Sequence, residues 1–224
     1  MGAFPFPDRF TSREELSRDL LYRKIPQKDC NKIADRAWET GVKAAKALLQ
    51  WNSGKSIEQI ALDEGLTVVH KDTDNVAGNV RYFSEYYSGL KKIIIYDSSI
   101  KKWSEANALT EKEAYELILS HEIYHHLECT KLGLTSKQYT VPTIQIGRFK
   151  MGKSGIRALS EIAAHGFSRT FYEERGLMQN RKNNQKGTIL KNHAVNDTDF
   201  HGQNVAKKIF ETNPILGFFT GKYR

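Results

Sequence analysis

His121, Glu122 and His125 carry the most specific chemical signal in the chain, within the run LILSHEIYHHLE at residues 117–128. Residues four apart on a helix share a face, about one turn from each other. Two imidazoles so placed can reach one metal ion, and Zn²⁺ takes neutral histidine nitrogen at about 2.0–2.1 Å in roughly tetrahedral geometry. Glu122 is rotated about 100° from His121 around the helix. Its carboxylate is then expected beside a water at the metal rather than on the metal. There it can accept the water's proton and later pass it to a leaving amine. The ion supplies two effects: it lowers the pKa of water towards about 7 and polarises a carbonyl. A chance HExxH in a chain of this make-up has a frequency on the order of one per cent. Context adds weight, because Tyr115, Leu117, Ile118 and Leu119 lead into the motif and give it a buried helix rather than a surface one.

A catalytic zinc needs a third protein ligand and one open position. Glu161, His165, His193 and His201 are the downstream candidates. In SEIAAHGF, residues 160–167, Glu161 and His165 again stand four apart. Ala163, Ala164 and Gly166 are small and would let two ligand-bearing helices approach. Residue type and spacing leave either Glu161 or His165 as the ligand, with the other as a supporting group. Tyr124 reads as a core-facing aromatic, with a reaction oxyanion as its alternative partner. His126 points elsewhere on the helix and reads as structural; His70, His193 and His201 read as surface residues.

These residues need elements to hold them. Thr11 with Glu14 is a capping-box pattern and predicts a short helix to about Tyr22. Apolar residues at helical spacing predict a helix over 29–51, and Ser56 opens another that stops at Gly65. The period then changes: 66–71, 80–87 and 92–97 are rich in Val, Ile, Tyr and Phe and predict three strands. Short turn-like links make an antiparallel meander the economical arrangement. Its edge could take an extended peptide as an added strand. A short helix follows at about 99–106. Thr110 with Glu113 caps the HExxH helix, which runs to about Lys131. A loop over 134–153, a helix over 155–174 and a short helix near 201–211 complete the pattern. The fold class is α+β, mostly helical, with a small antiparallel three-stranded sheet before the HExxH helix.

The chain has 224 residues, enough for a sizeable core. No apolar run approaches the roughly 18 residues that span a membrane, and the opening MGAFPFPDRF has neither a signal-peptide pattern nor a myristoylation motif. No membrane association and a cytoplasmic location are expected. Two cysteines, Cys30 and Cys129, give no disulfide scaffold and no thiolate metal cluster. The net charge of +8 invites a nucleic-acid reading. However, aromatic–basic interleaving, a zinc-finger pattern and a helix-turn-helix pattern are missing, so a solvated basic surface is the expectation. Part of the excess lies in a basic segment over 177–224, where RKNNQK at 181–186 predicts a solvated loop.

The run HEIYHHLE followed by SEIAAHGFS resembles the ImmA/IrrE family of bacterial and phage metallopeptidases, whose later helix has the form E-x-x-A-x-x-F-A; here it reads Glu161, Ala164, Phe167 and Ser168. SIEQIALDEGLTVV and KKIIIYD are similar to the family's opening helix and strands, and the resemblance covers roughly 35–175. It implies a zincin-like domain over 35–176, an N-terminal helical extension over 1–34 and a separate basic segment over 177–224. It also implies Glu161 as the third ligand of a gluzincin-like site, His165 as a supporting residue, and zinc as the cofactor. The implied activity is hydrolysis of peptide bonds, with a repressor-like regulatory protein as substrate. The chain departs from the family in a longer gap between His125 and Glu161 and in Phe171-Tyr172-Glu173-Glu174, which replaces the family's Leu-Leu-Met-Pro run. The competing expectations are metal-assisted hydrolysis of a non-peptide substrate, and a zinc-containing binding protein whose basic tail contacts DNA or a protein partner without proteolysis.

Overall fold

Asp8 sets the first turn: its carboxylate accepts from the backbone N–H groups of Phe10 and Thr11, each at 2.8 Å. The computed structural model describes residues 6–191, and the side chains of 6–176. The Asp8 turn takes the place of the capping box expected between Thr11 and Glu14. The predicted helix is accordingly cut into a 3₁₀ turn over Thr11–Glu14, a single turn α1 (Glu15–Arg18) and a second 3₁₀ turn over Tyr22–Lys24. Phe6, Leu16 and Ile25 from this stretch join the main core. Helix α2 (Gln27–Trp51) then runs unbroken through residue 34. The expected boundary between 1–34 and 35–176 thus falls inside a helix, and residues 6–34 pack as part of one unit.

Helix α3 (Ile57–Asp63) starts at the capping box of Ser56 and Gln59. Strands β1 (Thr67–Lys71), β2 (Asn75–Ala77), β3 (Val80–Tyr82), β4 (Ser84–Tyr87) and β5 (Lys92–Tyr96) follow. The antiparallel meander is corrected here. The predicted strand 80–87 breaks at Phe83; its first half pairs with β2 as a small hairpin. The three-stranded sheet has the order β1-β5-β4, with β1 parallel and β4 antiparallel to β5. The reason lies in β5. Ile93, Ile94 and Ile95 are all buried, and a strand buried on both faces belongs at the centre of a sheet. A sequential meander would have left it at the edge.

Helix α4 (Asp97–Ala106) leads to α5 (Glu111–Leu127), which has the expected capping box between Thr110 and Glu113. Every residue of α5 from Leu117 to Leu127 is buried, so this is a central helix without a solvent face. One wider π-turn over Glu128–Leu132 ends it. The segment 134–153, expected as a loop, carries a β-arm: β6 (Thr140–Val141) pairs with β9 (Ser154–Gly155) at the base, and β7 (Ile144–Ile146) pairs with β8 (Phe149–Met151) at the tip. Helix α6 (Ala158–Lys191) continues past Gly176 and through 181–186. That corrects the predicted stop and the predicted loop; Arg181, Lys182, Gln185 and Lys186 are good helix formers even without an apolar period.

Helices α2 and α6 cross closely because glycines remove side chains from both. A Cβ on Gly41 would lie 1.8 Å from the Ala163 carbonyl oxygen, and one on Gly166 would lie 2.7 Å from that of Trp38. The small residues Ala163 and Gly166 therefore serve contact with α2. The α+β class is as expected.

Candidate metal centre and active site

Helix α5 presents His121 and His125 one turn apart, and α6 presents Glu161 in its first turn. Their ligand atoms all lie within 4.8 Å of one another. His121 Nε2 and His125 Nε2 are 3.0 Å apart, His121 Nε2 is 3.3 Å from Glu161 Oε2, and His125 Nε2 is 3.7 Å from Glu161 Oε1. Zinc bonds of about 2.0–2.1 Å at tetrahedral angles separate neighbouring ligand atoms by about 3.3 Å. The imidazole separation and the approaches of the two Glu161 oxygens lie near that value, so the three residues form a group able to hold a metal ion.

The electrostatics favour positive charge between these groups. Burial alone would push the His125 imidazole down, but the carboxylates of Glu161 and Glu128 outweigh it and hold it well above its ordinary range. Burial would likewise raise Glu161; His125 first and then His121 pull it far below the usual carboxylate range. Buried anions facing two imidazoles make a pocket that favours a cation. His125 Nδ1 lies 2.9 Å from Glu128 Oε1. With a metal bound, the ring would keep its proton on Nδ1, towards Glu128, and turn Nε2 inward.

Glu122 is buried beside this set. Ser84 Oγ of β4 donates to its Oε1 at 2.6 Å, whereas its Oε2 is buried and accepts no hydrogen bond among the described residues. Ser84 thus engages one oxygen of this carboxylate and leaves the other to face elsewhere.

His165 lies one turn beyond Glu161 and is fully buried, its ring 5.4 Å from that of His121. Burial, reinforced by His121, holds it well below the usual imidazole range, so it is neutral. Its Nδ1 is 3.3 Å from Ser12 Oγ, and Phe6 packs edge-on against it. His165 therefore joins the site to the N-terminal segment and is not grouped with the three ligand atoms. Glu15 sits near Glu161; burial pushes it up to about 7 against the pull of Arg18, with Glu161 adding to the rise. Tyr124 is fully buried, bonded through its hydroxyl to Thr135, with its ring against His125 and Phe167. It is a core residue packed against His125. His126 bonds to Tyr86 at 2.9 Å. His193 and His201, and the helix expected near 201–211, lie outside the described residues.

Sequence reasoning did not assign Glu128, Ser84, Ser160 or Ser12. Glu128 accepts from Thr135 N at 3.0 Å and Ser160 Oγ at 2.9 Å as well as facing His125. Only Glu128 left a local signal: it follows His125 by three residues and so shares its helix face. The serines are brought in from distant segments.

Comparisons with family models, with characterised proteins and with solved structures give no match. No helix among the described residues is long and apolar enough to cross a membrane.

Proposed function

We propose that this chain is a zinc-dependent metallo-endopeptidase of the ImmA/IrrE kind. The observation that carries the reading is the convergence of His121, His125 and Glu161 from two helices, with the buried carboxylate of Glu122 following His121 in the chain. His121, His125 and Glu161 would hold Zn²⁺, which supplies Lewis acidity towards a carbonyl and towards water. Glu122 takes the proton of the attacking water on Oε2 while Ser84 fixes Oε1, then passes the proton to the departing amine. Glu128 and the Tyr124 ring keep His125 in register. Strand β4 is an edge of the sheet and carries Ser84, so an extended peptide paired along it would run beside Glu122. A base at this position has no purpose in a zinc site that is only structural. This favours hydrolysis over the reading as a binding protein. A repressor-like protein as substrate and a cytoplasmic location belong to the same proposal; Cys30 and Cys129 are both unpaired.

The zinc-loaded full chain, incubated with a random peptide library read by mass spectrometry, is expected to generate new termini. Glu122→Gln is expected to retain zinc and lose at least about 10²-fold in rate. Cleavage that persists in Glu122→Gln would overturn the assignment of the base.

A further inference from the structure

The β-arm over 140–155 has no part in the chemistry above, yet it gathers exposed apolar side chains on one face. The register pairs Ile144 with Met151 and Ile146 with Phe149. Alternation along a strand puts these four side chains on one face of the ribbon. All four are exposed, Ile146 by 73% and Phe149 by 62%. The cations Arg148, Lys150 and Lys153 lie at the turn, on the opposite face and just beyond the strand. Between Glu128 and Glu161 the sequence has six Lys or Arg and no Asp or Glu. The arm is anchored at its base: Lys24 Nζ donates to the carbonyls of Pro142 and Thr143 at 3.1 and 2.8 Å, and Thr143 Oγ1 bonds Ser154 Oγ at 2.8 Å.

What covers this face can be argued from charge and area. A second copy would bring the same uncompensated cations against it. The segment 177–224, with eight Lys or Arg and three Asp or Glu, would do likewise. The occupant must be anionic. Two strands of three residues span about 10 Å by 10 Å, and even with side chains counted in full the face offers only a few hundred Å². A stable protein interface takes roughly 800 Å² from each partner. Base edges in a DNA groove call for hydrogen-bonding side chains, where this face has Ile, Ile, Phe and Met. A bilayer surface sets no minimum area and no shape. It accepts an apolar strip at the acyl boundary and attracts cations within about a Debye length, which is comparable with the thickness of the ribbon.

We propose that the β-arm is an interfacial anchor for anionic lipid membranes: Ile144, Ile146, Phe149 and Met151 enter the headgroup region, and Arg148, Lys150 and Lys153 meet its negative charge. The proposal departs from the sequence-based expectation of no membrane association, but an interfacial anchor needs no spanning helix. The anchor does not depend on the metal centre.

Its test is sedimentation of the full chain with vesicles of phosphatidylcholine alone or with about one third phosphatidylglycerol. Binding to the anionic vesicles is expected, at least about tenfold stronger than to the neutral ones and weakened by salt. Ile146→Ser with Phe149→Ser is expected to reduce it at least about tenfold, with circular dichroism unchanged. Phe149→Trp is expected to shift its fluorescence to the blue on anionic vesicles. Three outcomes overturn the proposal: no vesicle binding, salt-sensitive binding that the double variant leaves intact, or tighter binding to duplex DNA or an acidic peptide than to the vesicles.

Discussion

Glu128 stands behind His125 as Ser84 stands behind Glu122, and each holds a reactive group in one orientation. Burial would raise the Glu128 carboxyl, but His125, Thr135 and Ser160 hold it below its ordinary range. Glu128→Gln keeps the size, removes the charge and sets an amide against two donors. Its zinc affinity is expected to fall about 10–100-fold by chelator competition. An unchanged affinity would show that His125 needs no such partner. The spacing of His121, Glu122 and His125 made their grouping legible, because four residues on a helix fix a face whatever the rest of the chain does. Glu161 and His165 were equally legible as a pair, but spacing alone could not divide ligand from support. In the tertiary structure Glu161 lies in the group able to hold a metal, and His165 lies against Ser12 and Phe6. Ser84 and Ser12 lie 38 and 153 residues from the groups they contact, beyond any local signal.

Helix α6 brings Glu161 to the site and is itself fixed by α2, so the glycines between them are a positioning device. Gly41→Ala drives a methyl into the Ala163 carbonyl. It is expected to destabilise the fold by about 1–3 kcal/mol in denaturant melts. Gly176→Ala, farther along α6 with open space around it, is expected to be neutral or to stabilise by up to about 1 kcal/mol. Similar losses at both sites would contradict the close crossing. The bodies of the helices were legible from periodicity, the start of α3 from Ser56 and that of α5 from its capping box. Strand pairing was not, since whether β5 lies centrally or at an edge depends on contacts distant in sequence. Its three consecutive isoleucines held the clue. The β-arm escaped notice because strands of two or three residues leave almost no periodic trace.

At the scale of the molecule, Asp74 ties the β2–β3 hairpin to α4 through Arg81, Lys102 and Ser99. Arg81 first and then Lys102 hold its carboxyl far below the usual carboxylate range. A depressed carboxylate contributes stability above its unfolded pKa and loses it as pH falls through the folded value. Asp74→Asn is therefore expected to be weaker at neutral pH by about 1 kcal/mol, and to approach the parent's stability in acid melts below about pH 4. A constant difference across that range would contradict the linkage. The net charge of +8 has a local source in the acid-free stretch that forms the β-arm, where position and not total charge carries the meaning. The central claim concerns the metal, and zinc stoichiometry by elemental analysis after dialysis against Zn²⁺ tests it most directly. One zinc per full-length chain is expected, with occupancy largely lost in Glu161→Ala and kept in Glu122→Gln. A chain that retains no zinc, or a Glu161→Ala variant that retains all of it, would contradict the assignment of His121, His125 and Glu161 as one metal centre.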